Sequence, residues 1–130
     1  MTSRPVLVGT AFLLGAAGLA LLFAPGEVLS LLGVEGTSRV IAVLAQLLGS
    51  AWLGLAYGNW IARGLAIGGI HGRAIVIGNL VHATTAALVL ARGALEGARP
   101  AVWVFVVLLG IVAGAFGRLL RTAPRAPLPS

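Results

Sequence analysis

Four long apolar stretches alternate along the chain with short segments that hold nearly all of its charges. The first runs from Val6 to Ala24, the second from Val40 to Ala62 between two arginines, and the third from Ala74 to Ala91 between Arg73 and Arg92. The fourth begins at Ala101, after Arg99-Pro100, and reaches Gly117 before Arg118. A helix rising ~1.5 Å per residue needs ~20 residues to cross a ~30 Å hydrocarbon core. With flanking apolar residues added, the pattern predicts spans over about 6–24, 40–62, 72–91 and 101–120. A barrel strand would alternate apolar and polar residues over ~10 positions, and no stretch here does so. Spanning segments must satisfy their backbone groups internally, so these four are helices. The first stretch continues through Leu21, Leu22 and Phe23 to Pro25, which is long for a cleaved signal core and suits a retained span.

The connecting segments carry readable end signals. Thr37 or Ser38 is placed to cap the second helix, and Pro100 suits the first turn of the fourth. Between the first two spans, PGEVLSLLGVEG opens on Pro25 with Glu27 one turn in, where a carboxylate favours the helix dipole. Its Val28, Leu29, Leu31 and Leu32 are too apolar for free solvent, so a short interfacial helix is expected over about 26–33. The segment 121–130 holds three prolines and no apolar face, and is expected to be a disordered cytoplasmic tail. The whole of 1–120 reads as one four-helix transmembrane domain.

Composition removes the alternatives. Of 130 residues, 59% are hydrophobic and 9% charged, against the roughly one quarter charged in soluble domains. The charges are nine arginines and three glutamates, with no lysine, giving a net charge of +6. Such a balance could suggest a nucleic-acid partner, but no basic patch interleaved with aromatics occurs. The arginines instead divide between the two sides of the predicted bundle. Arg4, Arg63, Arg73, Arg118, Arg121 and Arg125 fall on one side, and Arg39, Arg92 and Arg99 on the other. The positive-inside tendency then places both termini of this multi-pass protein in the cytoplasm. Membrane lipids are the expected partners, the arginines meeting anionic headgroups.

Helices in lipid associate through close packing of small residues and a few polar contacts, because lipid tails are as apolar as leucine. Small residues recur at four-residue spacing as Ala11 and Gly15 on the first helix, beside Gly18. On the second they are Gly54 and Gly58, with Gly49 on an adjoining strip, and on the fourth Gly110 and Gly114. These are the expected packing positions, either within the chain or, for one stripe, in a homo-oligomer or against another membrane protein.

Polar residues inside the bilayer are costly and tend to face the bundle interior. At ~100° per residue, Gln46, Ser50 and Tyr57 share one side of the second helix, while Asn59 points elsewhere, toward headgroups. Asn79 and His82 share a face of the third. Together Gln46, Ser50, Tyr57, Asn79 and His82 form a candidate cluster with two uses. It could bind a quinone or other lipid-like headgroup, or it could join helices by hydrogen bonds. Enzyme chemistry finds little support: no carboxylate lies within a span, and there is no cysteine. Two histidines without partners suggest no metal site, and no cofactor is expected. Trp60 and Trp103 occupy belt positions at opposite ends, whereas Trp52 is mid-span and needs a packing slot or an N–H partner.

A Pro25-Gly26-Glu27 turn followed by LSLLGV, then RVIAVLAQLLGSAWLGLAYGNWIAR and GNLVHATTAALVL, resembles the small bacterial four-helix membrane proteins grouped loosely as DoxX-like. The resemblance spans most of 6–120. It rests on Arg39 opening the second helix ahead of Gly49, and on the Asn79/His82 face. It implies a four-helix inner-membrane bundle, and some DoxX relatives have a quinone- or thiol-dependent redox role. The expectation is a structural or accessory membrane subunit. The alternatives are a lipid- or quinone-binding protein beside a redox complex, or a small transporter built from several copies.

Overall fold

A computed structural model describes residues 3–65, 69–97 and 99–122. The fold is all-α: α1 (Arg4–Phe23), α2 (Pro25–Leu31), α3 (Arg39–Ala62), α4 (Ile70–Leu95) and α5 (Ala101–Thr122). Four of these are long and apolar enough to cross a membrane, and α2 is the short extra helix expected between the first two. The third span is longer than the charge-free block suggested, because α4 continues through Arg92 to Leu95 and also takes in His71 and Arg73. Arg121 and Thr122, expected in the tail, form the last residues of α5. The rest of that tail, 123–130, lies outside the described residues.

Helix ends follow local chemistry. Ser38, extended at φ −69° and ψ 155°, accepts the Ile41 N–H on its hydroxyl and starts α3. α2 ends in a Schellman arrangement: the Val34 N–H donates to the Leu29 carbonyl and the Gly33 N–H to that of Ser30. The arrangement puts Gly33 at φ +93°, a backbone region that favours glycine.

The four spans form two close-packed hairpins, α1 with α3 and α4 with α5, which meet each other over a smaller area. In the first hairpin the helices run antiparallel, since Gly15 faces Ala56 while Gly18 faces Gly49 and Leu53. At the Gly18–Gly49 crossing the backbones nearly touch. A methyl on Gly18 would lie 2.8 Å from the Gly49 carbonyl oxygen, and one on Gly49 would lie 2.7 Å from that of Gly18. Such contact maximises dispersion and permits weak Cα–H···O contacts, the forces available where lipid competes for every apolar surface. In the second hairpin, Gly117 of α5 meets Leu80 of α4 at 3.8 Å.

The hairpins are fastened at both ends by different chemistry. At one end Leu7, Ala62, Val76, Phe116 and Leu119 bring all four spans into one apolar core. At the other, Arg99 reaches across from the α4–α5 connection. Its guanidinium donates to the Ser30 carbonyl at 3.4 Å and pairs with Glu35 at 3.2 Å, while its stem lies against Gly33. Outward surfaces are lined by residues such as Val40, Leu44, Leu88, Val89 and Ile111, as a lipid-facing bundle requires.

Candidate functional site

The expected cluster separates into distinct contacts. Asn79 is 3% exposed and its partner is Asn59, which is fully buried. Their side-chain amides exchange two hydrogen bonds, each 2.8 Å, and the Asn79 amide also donates to the Ile75 carbonyl at 2.9 Å. Asn59 therefore faces the bundle interior rather than the headgroups. The buried face of α3 is Ala45, Gly49, Ala56, Asn59 and Ala62, a run of small residues in which the amide is the one polar member. That run is the sequence signal for Asn59: it continues the i, i+3, i+4 series set by the alanines and Gly49.

Gln46, Ser50 and Tyr57 lie away from this pair. The Gln46 amide donates at 3.0 Å to the Leu22 carbonyl, one of the last four of α1, which have no acceptor role within that helix. It ties α3 to the end of α1. Ser50 is exposed and its hydroxyl returns to the Leu47 carbonyl of its own helix at 2.8 Å. Tyr57 is 68% exposed and lies on the outer side of the first hairpin. Thr85, beyond His82, likewise bonds its own helix, at the Val81 and His82 carbonyls.

His82 lies beside Trp52, their rings edge-to-face with centroids 6.2 Å apart. This gives Trp52 its mid-span packing slot and couples α3 to α4 a second time. Trp52 Nε1 and His82 Nε2 are both shielded, and neither has a hydrogen-bond partner among the described residues. An indole N–H is a donor only, whereas an imidazole nitrogen donates or accepts according to tautomer. A hydroxyl or carbonyl group would complement that combination. Among the described residues, no group of three or more His, Asp or Glu side chains converges as a metal site would require.

The small residues also divide. Ala11 is buried, and Gly15 and Gly49 pack in the α1–α3 seam. A methyl added at Gly54, Gly58, Gly110 or Gly114 would meet nothing within 4 Å, so these four glycines are not the intramolecular contacts expected of them. Their hairpin partners lie on other faces, because α3 turns its Ala45–Gly49–Ala56 side inward and α5 turns Val102, Leu109, Phe116 and Leu119 inward.

Charge is distributed unequally between the two ends. Glu27, Glu35 and Glu96 share one end with Arg39, Arg92 and Arg99, where Arg92 bonds Glu96 at 3.0 Å and Arg99 bonds Glu35. At the other end stand Arg4, Arg63, Arg73, Arg118 and Arg121, with no carboxylate among the described residues there. One end is electrically neutral and cross-linked; the other is strongly positive. The chain matches no protein-family model, no curated protein and no solved structure, so what is established is a small all-helical protein with four helices of membrane-spanning length.

Proposed function

We propose that the protein is a structural or accessory subunit of a membrane assembly. The observation that carries this reading is the uncovered set of glycines on α3 and α5: Gly54, Gly58, Gly110 and Gly114 leave open helix faces that the chain's own packing does not use. Small-residue faces of this kind let another helix approach closely in lipid. Consistent with it, the buried side chains of Asn59 and Asn79 and the half-buried Gln46 bond to the protein's own frame. The DoxX-like resemblance belongs to the same reading, as does residence in a bacterial cytoplasmic membrane. The five-arginine end then faces the cytoplasm, by the positive-inside tendency. Single cysteines at Ser3 and Thr37 check the orientation. Thr37→Cys should react with an impermeant thiol reagent on intact cells, and Ser3→Cys only after permeabilisation; the reverse pattern rejects it.

A second reading is favoured by the unpartnered nitrogens of Trp52 and His82. They suit the hydroxyl or carbonyl head of a lipid or quinone entering between the hairpins. Native mass spectrometry of protein released gently from its own membrane separates the two. A different polypeptide retained on the chain is the result expected for an accessory subunit. A retained small amphiphile that is lost in His82→Phe supports the second reading. A bare chain that catalyses or transports on its own contradicts both.

A further inference from the structure

The outer side of the first hairpin carries a groove of about 420 Å³, lined by Ala11, Phe12, Leu53, Ala56, Tyr57 and Trp60. Ala11 and Ala56, both buried and small, form its floor, and the large rings of Phe12, Tyr57 and Trp60 stand up from it. Phe12 and Trp60 contact edge-to-face, with centroids 5.9 Å apart. The groove runs along α3 from Leu53 to Trp60, ~10 Å at the helical rise.

Trp60 places a cation at one end. The Arg63 guanidinium lies over its ring, 4.0 Å from the centroid, and one N–H donates to the Trp60 carbonyl. Stacking and hydrogen bonding fix the guanidinium in place yet use few of its five N–H donors, leaving others for an anion. No glutamate complements it, because all three belong to the opposite end. An apolar slot on the lipid-facing side, ending at a positioned arginine that pairs with no acidic side chain among the described residues, has the chemistry that suits an amphiphile with one negative head.

We infer that this groove seats one acyl chain of an anionic phospholipid whose phosphate is held by Arg63. Arginine suits the task because its planar fork meets phosphate oxygens in pairs. The site is separate from the Trp52–His82 contact. It needs only that the Arg63 end of α3 lies at a membrane surface, so it stands or falls apart from the subunit reading.

The test uses the full chain, delipidated in neutral detergent, with its thermal midpoint followed against added lipid. Phosphatidylglycerol should raise the midpoint saturably, and phosphatidylcholine with the same acyl chains should not. Arg63→Gln should weaken the phosphatidylglycerol effect about tenfold, as loss of a charge-assisted contact implies. Phe12→Ala should weaken it by removing a groove wall. Arg121→Gln, at the same end but off the groove, should leave it unchanged. Equal response to the two lipids, an unaltered response in Arg63→Gln, or an equal loss in Arg121→Gln would each overturn the proposal. So would an equal shift from glycerol phosphate, which lacks the chain that the groove accommodates.

Discussion

Asn59 and Asn79 show how a polar side chain is accommodated inside a bilayer. Each amide has both a donor and an acceptor, so two of them facing one another satisfy both in a closed pair. Half of that pair was legible in the sequence and half was not. Asn79 was marked by the face it shares with His82 inside the third span, but Asn59 sits three residues from the end of α3, where solvated headgroups offered an equally simple explanation. The deciding fact is rotational: Asn59 lies on the Ala45–Gly49–Ala56 face, while the more conspicuous Gln46–Ser50–Tyr57 series lies about 100° away. Removing one member should leave the other's amide unpaired in an apolar surround. Asn59→Leu and Asn79→Leu are each expected to lower stability in mild detergent, while the double variant loses less than their sum. The coupling should be about 1 kcal/mol, within the range found for hydrogen bonds between membrane helices. Strict additivity in a double-mutant cycle would show that the pair is not a functioning contact.

At the scale of elements, the pattern of charges located all four spans, because lipid imposes length and apolarity on any spanning helix. It could not say which helices would be close neighbours. Glycine and alanine recur on several faces of α1, α3 and α5, and hydropathy is the same whether a face meets lipid or another helix. The structure selects Gly18 and Gly49 for the tightest crossing and leaves Gly110 and Gly114 open. The two classes should therefore respond oppositely to bulk. Gly18→Leu and Gly49→Leu force backbone apart where a first methyl already meets a carbonyl oxygen, and should cost about 1–3 kcal/mol or more. Gly114→Leu should leave the isolated chain's stability within about 0.5 kcal/mol of the parent, as surface substitutions usually do. If Gly114→Leu instead destabilises the purified chain as strongly as Gly49→Leu, the assignment of faces is wrong. If it spares the isolated chain but breaks a native assembly, the open face is the partner's.

As a whole, the molecule is two glycine-seamed or close-packed hairpins joined by a few specific contacts: an apolar core at the arginine-rich end, the asparagine pair and the Trp52–His82 contact along α3 and α4, and Arg99 across the opposite end. The ends differ in kind. Of the exposed ion pairs at the neutral end, Arg92–Glu96 stays within the end of α4 and Arg99–Glu35 alone joins two connections. Such pairs contribute little in water, so the inward-facing contacts must define how the hairpins sit together. That claim is open to direct measurement because the chain has no native cysteine. Cysteines introduced in place of Asn59 and Asn79 can be joined in native membranes with a short bifunctional thiol reagent, beside a control pair at Tyr57 and Asn79. The Asn59→Cys/Asn79→Cys chain should cross-link within a single molecule, and the Tyr57→Cys/Asn79→Cys chain should not. Cross-linking through position 57 in preference to 59, or only between two molecules, would contradict the arrangement of the hairpins described above.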